Sequence, residues 1–209
     1  MDATQAMDVR FRDVAQEELW DLRSMAERIW RACYRGMIPD AQIEQMLGWM
    51  YAPGTVATEL ASGVRWEWME VDGRRAGYVS WEAHREGVDL HKVYLEPELH
   101  GRGLGQCMLR HVERRAAECG APWVELRVNR ANERALRAYR RAGYEWVGDD
   151  VRPIGGGFVM DDHILRRRVG TEGSGDAGVR AGRDGIHRRS GGGEERSGGE
   201  GGIRTPGSV

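Results

Sequence analysis

VYLEPELHGRGLGQ, residues 93–106, reads as a strand, a turn and the start of a helix, and its reading decides the fold class. Val93 and Leu95, with Leu90 before them, are strand formers. Pro97 ends the strand, because proline has no N–H to give to a ladder. Behind Gly101, Gly103 and Gly105, the residues Leu104, Met108, Leu109, Val112 and Ala116 recur at helical spacing. The glycines therefore stand where a helix begins. There the first amides lack intrahelical partners and the dipole is positive, so an anion is stabilised. Glycine also lets a ligand come close to the backbone. Two common phosphate loops are excluded by spacing. A Walker loop needs Gly-Lys-Ser/Thr, and Gly105 is followed by Gln106 and Cys107. A dinucleotide fingerprint is G-x-G-x-x-G, and this stretch is G-x-G-x-G.

WVELRVNRANERALRAYRRAGY, residues 123–144, repeats the order of strand, turn and helix. Trp123, Val124, Leu126 and Val128 make the strand, and Asn132 is a good N-cap. Ala135, Leu136, Tyr139 and Ala142 form the apolar stripe, and Gly143 ends the helix as a C′ glycine. Taken singly, Asn132 is explained as a cap and Tyr139 as a core aromatic.

Together the two stretches resemble the GNAT superfamily of N-acetyltransferases. Its pyrophosphate loop has the pattern Gln/Arg-x-x-Gly-x-Gly/Ala, and here the run is His100-Gly101-Arg102-Gly103-Leu104-Gly105, with His100 departing at the first position. Its later segment N-x-x-A-x-x-x-Y-x-x-x-G-[FY] is matched by Asn132, Ala135, Tyr139, Gly143 and Tyr144. The resemblance covers about 9–168 and is most similar in look to bacterial small-molecule and polyamine acetyltransferases.

The remaining segments fit that order. Val9–Arg12 reads as an edge strand, Asp13 as a helix cap with Gln16 at the capping-box position, and Leu19, Leu22, Met25, Ala26, Ile29 and Cys33 as the stripe that follows. Asp40 caps a second helix with Ile43, Met46, Leu47 and Met50 on one side. Strands at about 64–71 and 75–82 are joined by Asp72-Gly73, a strong hairpin signal, and a third strand covers about 88–95. Tyr144–Val147 and Phe158–Leu165 read as a terminal strand pair. The fold class is α/β: the GNAT-type layered fold, with a mixed sheet of about six to seven strands and four helices. Residues 1–8 read as a flexible N-terminus and 9–169 as one domain. From Gly170 to Val209 there is no Leu, Met, Phe, Tyr or Trp, a composition that reads as a disordered tail.

With 209 residues and a net charge of −2, the chain has room for one core and no basic balance that would argue for nucleic acid. Cys33, Cys107 and Cys119 are an odd number without metal spacing, which suggests reduced thiols and a cytoplasmic protein. Cys107 and Cys119 share a helix with buried positions and read as small hydrophobes. No apolar run reaches the roughly 20 residues of a membrane span, and the N-terminus has no signal-peptide pattern.

The resemblance implies transfer of acetyl from acetyl-CoA, as co-substrate, to an amine. The cofactor's pyrophosphate would lie on the amides from Gly101 through Gly103, Leu104 and Gly105 to Gln106, beside His100 and Arg102. Val93, Tyr94 and Leu95 would offer backbone to its pantetheine arm, with Asn132 and Tyr139 nearby. Tyr139 is the candidate acid for the departing thiolate, since a phenol near pKa ~10 holds its proton at rest. Asp89 and His91, two apart on the third strand, and Glu82 on its neighbour are the candidate bases, and a water relay stays open. Trp30, Tyr34, Trp49, Tyr51, Trp66, Trp68 and Trp81 either form core or hold a cationic amine by cation–π contact. Asp161 and Asp162 either serve a polyamine's ammonium groups or form a turn or exposed strand pair. The expected acceptor is a small cationic amine such as a polyamine. Acetylation of protein lysines or N-termini, a non-catalytic acyl-CoA-binding module and an unrelated phosphate-binding domain are the alternatives. A homodimer is compatible with the sequence; a metal site is not expected.

Overall fold

Seven strands form one sheet in the order β1-β2-β3-β4-β5-β7-β6. The structure, a computed structural model, describes residues 7–170. Its elements are β1 (Val9–Asp13), α1 (Leu19–Tyr34), α2 (Asp40–Met50), α3 (Pro53–Ser62), β2 (Arg65–Val71), β3 (Arg74–His84), β4 (Gly87–Leu95), α4 (Leu104–Glu118), β5 (Trp123–Asn129), α5 (Glu133–Arg141), β6 (Glu145–Gly155) and β7 (Phe158–Arg168). The expected tail, apart from Gly170, and residues 1–6 of the expected flexible N-terminus lie outside the described residues. Asp8 is tied to the β2–β3 turn, its amide donating to Asp72 Oδ1 at 3.0 Å.

Local chemistry sets most of these boundaries. Asp72 and Gly73 have φ of 51° and 74°, the paired left-handed residues of a tight hairpin turn whose twist matches the strands. Asp13 ends β1 and pairs with Arg65, so it does not cap α1. A short 3-10 turn at Gln16–Glu18 precedes the helix, and Glu18, not Gln16, reaches back to the Ala15 amide at 3.0 Å. Among the described residues five helices of two turns or more form, where four were expected. The extra one, α3, begins with proline at its N-terminus and stops at Gly63, φ 102°, but buries only Val56 along its length. Without an apolar stripe it gives no periodic signal.

The sheet separates two cores. On one face Val79, Trp81, Val88, Leu90, Val93 and Leu95 pack with Met108, Leu109 and Val112 of α4 and with Leu136 and Tyr139 of α5. On the other, Trp66, Trp68, Tyr78 and Tyr94 pack with Trp30 and Tyr34 of α1, Met46 of α2 and Val56 of α3. This second core is aromatic: the Trp30 indole N–H donates to the Tyr51 hydroxyl at 3.1 Å, and Tyr78 donates to the same hydroxyl at 2.8 Å.

β4 carries two irregularities that build the site. Its pairing with β3 shifts from Trp81↔Leu90 to Ser80↔Lys92, so His91 is a bulged residue. Beyond the bulge, Val93 and Leu95 serve one core and Tyr94 the other. The second irregularity lies on the opposite edge. β4 and β5 are parallel and pair at Val88↔Val124, Asp89↔Glu125 and Leu90↔Leu126, and there the register ends. From His91 onward the two strands part.

Candidate active site

The glycine loop stands at the wide end of that parting, between β4 and α4. Gly101 and Gly103 have φ of 79° and 80°, a backbone that side chains strain to adopt. Gly103 is the residue before α4, and no side chain caps the helix. A β-carbon built on either glycine meets nothing within 4 Å, so the ground above these amides is open. The first amides of α4, on Leu104, Gly105 and Gln106, have no acceptor inside the helix by its geometry. Open space, uncapped amides and a positive dipole fit a diphosphate. Leu104 is buried in the core, and the Gln106 side chain donates to the Ala138 carbonyl at 2.9 Å, fixing α4 to α5. Arg102 is exposed beside the loop.

His100 does a different task from the Gln or Arg of the family pattern. Its Nε2–H donates to the Leu95 carbonyl at 3.0 Å, and Arg134 of α5 donates to its Nδ1. Burial and then the Arg134 charge hold its pKa below the usual imidazole range, so the ring is neutral and pins the loop to the end of β4. Arg134, absent from the sequence reading, also lies 3.3 Å from Cys33 Sγ. Cys107 is half-buried, while Cys119 at the end of α4 is exposed instead of packing as a small hydrophobe.

Val93, Tyr94 and Leu95 remain paired with β3 on one edge, opposite Val79, Tyr78 and Gly77. Their other edge faces the parting from β5, where no strand among the described residues is paired with it. Asn132 caps α5, accepting from the Ala135 amide at 3.1 Å. Two turns on, Tyr139 is 0% exposed, and its hydroxyl has no hydrogen-bond partner among the described residues. Burial pushes its pKa well above 10, so the phenol keeps its proton. Tyr34, which comes from the opposite face of the sheet, lies within electrostatic reach of Tyr139 and hydrogen-bonds Tyr94 at 3.3 Å.

The expected bases gather on the α1–α3 face, in two histidine–carboxylate pairs. Glu82 and Asp89 are cross-strand partners. His91 Nε2 lies 3.5 Å from Glu82, and His84 Nε2, not foreseen, lies 3.3 Å from Asp89. Asp89 sits where β4 and β5 are still paired, opposite Glu125.

The aromatic residues resolve the other way. Trp30, Tyr34, Tyr51, Trp66 and Trp68 are core, and the cations over them are the chain's own: Lys92 Nζ lies 4.5 Å from the Trp66 ring centre, with Glu59 at 4.0 Å, and the Arg75 guanidinium lies 4.7 Å from that of Trp68. Burial pulls the Lys92 pKa down, only partly offset by Glu59. An aromatic cage for the acceptor is thus not what these residues build. Asp161 and Asp162 separate as well. Asp161 is exposed and bound to Arg130 at 2.5 Å, while Asp162 is buried with a pKa raised to about 7, chiefly by desolvation. Among the described residues no group of His, Cys, Asp and Glu is placed to hold a metal, and no helix is long and apolar enough to cross a membrane.

Residues 23–144 match the model of the acetyltransferase (GNAT) family. Over 96 residues the chain is 32% identical to streptothricin acetyltransferase of Streptomyces lavendulae, covering 45% of this chain and 51% of that one. Over 99 residues it is 34% identical to an uncharacterized N-acetyltransferase of Mycobacterium tuberculosis, covering 47% and 64%. The match thus spans only about half to two-thirds of these curated relatives. The fold is similar to that of PaiA N-acetyltransferase from Thermoplasma acidophilum, solved in complex with coenzyme A, with a TM-score of 0.65, 20% identity and coverage of 78% and 99%. It is also similar to the ribosomal-protein-S18-alanine N-acetyltransferase of Escherichia coli, with a TM-score of 0.60, 15% identity and coverage of 79% and 97%.

Proposed function

Because this chain belongs to the GNAT family of acetyltransferases, we propose that it moves an acetyl group from acetyl-CoA to a primary amine on a small cationic acceptor. The observation that carries this reading is the pair of features flanking the β4–β5 gap: uncapped α4 amides at its wide end, and an unpartnered, buried Tyr139 hydroxyl on the α5 side. The α4 amides hold the diphosphate, with Arg102 and Arg134 adding positive charge. The free edge of Val93–Leu95 aligns the pantetheine arm and sets an amide toward the thioester oxygen, where negative charge develops.

The amine nitrogen, once deprotonated, attacks the thioester carbon. A C–N bond forms, the C–S bond breaks, and the thiolate takes the Tyr139 proton. The second proton on nitrogen returns to the tyrosinate, so Tyr139 ends the cycle as it began. Burial keeps the phenol protonated at rest, so the proton is in place when the thiolate leaves. On the acceptor side, Glu82, Asp89 and His91 are candidates for handling the first proton. The cationic character of the acceptor rests on the carboxylates collected there, Glu82, Asp89, Glu125 and Asp162, and a polyamine with its spaced ammonium groups suits them.

Thiol release from acetyl-CoA, measured with spermidine, diamines, amino acids, aminoglycosides and lysine peptides, tests this. Streptothricin, which gives one relative its name, belongs in the panel. A small cationic amine is expected to be the best acceptor. Tyr139→Phe is expected to lower kcat about 10²-fold without changing acetyl-CoA affinity. Normal turnover by Tyr139→Phe with every acceptor would leave Tyr139 a core aromatic. No turnover with any acceptor would favour an acyl-CoA-binding module.

A further inference from the structure

We propose that Asp162 is the carboxylate that receives the acceptor's ammonium and takes its proton. The inference rests on the acetyltransferase reading above and names the residue that prepares the acceptor. It stands on position and on an unfilled bonding requirement.

Position comes from register. Asp162 of β7 is paired with Asn129 of β5, beyond Leu126, the last residue of β5 paired with β4. It therefore lies beside the part of β5 that has left β4. Strand alternation from Met160, which packs in the aromatic core, puts Asp162 on the α1–α3 face. Tyr139 belongs to the opposite core, and Tyr34 is in electrostatic reach of both. A thioester in the gap would have a proton donor on one side and a carboxylate on the other.

The second observation is what Asp162 lacks. It is 1% exposed, and neither carboxylate oxygen has a hydrogen-bond partner among the described residues. Its neighbours are satisfied elsewhere. Asp150, directly across on β6, binds Arg127 of β5 at 2.9 Å and Arg152 at 3.1 Å. Asp161 binds Arg130 at 2.5 Å and Glu125 binds Arg166 at 2.7 Å. Arg127 and Arg152 are thus each ion-paired with Asp150 and only partly offset the repulsion of Asp162 by Asp150 and Asp161. A buried carboxylate without donors is costly, and folded proteins keep one where a ligand or a proton completes it.

The proton balance is simple. Asp162 takes one proton from R–NH₃⁺ as the amine approaches through the β4–β5 gap past Tyr34, and the free amine attacks. That proton leaves to solvent after the acetylamide departs, which is the net proton of the reaction. The groups facing Asp162 are Asp150 and Arg152 from β6, Asp161 from its own strand, Arg127 from β5 and Tyr34 from α1. Burial and Asp150 together raise its pKa to about 7, so the base form is lost as pH falls through that value. The same shift makes the empty site destabilising. The folded pKa lies above the unfolded value of about 3.9, so the penalty grows as pH rises from there to about 7 and is complete above it.

The test uses the full chain, acetyl-CoA and spermidine or the best acceptor from the panel above. In wild type, kcat/KM should fall below an apparent pKa of about 7. Asp162→Asn should lower kcat/KM about 10²-fold and remove that acidic limb, with acetyl-CoA affinity unchanged. Asp162→Glu should recover part of the rate. The Asn variant should also melt higher than wild type at about pH 8, with the gain shrinking toward about pH 4. An Asn variant within about threefold of wild type, keeping the limb, overturns the proposal while wild-type turnover leaves the acetyltransferase reading standing. An inactive variant that melts lower at every pH makes Asp162 a structural residue and overturns it too. A wild type that acetylates no amine removes both readings together.

Discussion

Glu18 shows how much one side chain can hold. Its carboxylate accepts from the Ala15 amide at 3.0 Å and the Trp68 indole N–H at 3.1 Å, and pairs with Arg12 at 2.8 Å and with Arg75. These contacts join β1, the turn before α1, β2 and β3. Arg12 first, helped by the other donors, holds the Glu18 pKa far below the usual carboxylate range. A depressed carboxylate stabilises the fold above its unfolded pKa of about 4.3, and that stability is lost as pH falls toward the folded value. Glu18→Gln should therefore cost about 2 kcal/mol in urea unfolding at neutral pH, with the gap to wild type narrowing below about pH 4. A gap unchanged by acid would contradict the charge argument. Polar residues are also where sequence is least informative. Nothing in the sequence marks Lys92 or Asp162 as buried, because a charged residue is rarely buried. Their burial follows from tertiary packing: Lys92 under Trp66 and Tyr51, and Asp162 between β5 and β6 in the shelter of α1.

At the scale of elements, the glycine loop and the Asn132-capped helix were legible because their signals are local. A left-handed glycine before an apolar stripe, and an Asn before another, describe themselves. The two devices carry separable consequences. Asn132→Ala removes one cap and should cost about 1 kcal/mol of stability. Gly77→Ala should cost up to about 3 kcal/mol, since its β-carbon would fall on the Tyr94 carbonyl oxygen across the β3–β4 ladder, and backbone must shift. Thermal melts of the two variants would check the order; a Gly77→Ala protein as stable as wild type would mean that the β3–β4 spacing at Tyr94 is looser than described. The bulge at His91 was not legible. Alternation assumes an unbroken register, and one inserted residue moves every later side chain to the other face. That is why, beyond His91, Lys92 and Tyr94 turn toward the α1–α3 side while Val93 and Leu95 turn to the other core. α3 escaped for the opposite reason: its boundaries carry the right residues, but its surface has too little apolar stripe to show a period.

Across the whole molecule, function follows from two cores that share one sheet and a sheet that opens between its fourth and fifth strands. The GNAT order of elements could be read from the chain because α1, α2, α4 and α5 each carry an apolar stripe and the main turns carry glycine or proline. The opening itself could be anticipated only through resemblance, since no residue pattern announces where two parallel strands stop pairing. What the opening receives is the central claim: a coenzyme A thioester with its diphosphate on the α4 amides. Isothermal titration of the purified protein with acetyl-CoA tests it most directly. The account predicts binding at about micromolar Kd, near −8 kcal/mol, abolished by Gly103→Val, whose branched side chain would enter the open ground above the amides and strain a φ of 80°. No heat with acetyl-CoA or with any other acyl-CoA, or unchanged binding by a folded Gly103→Val protein, would contradict it.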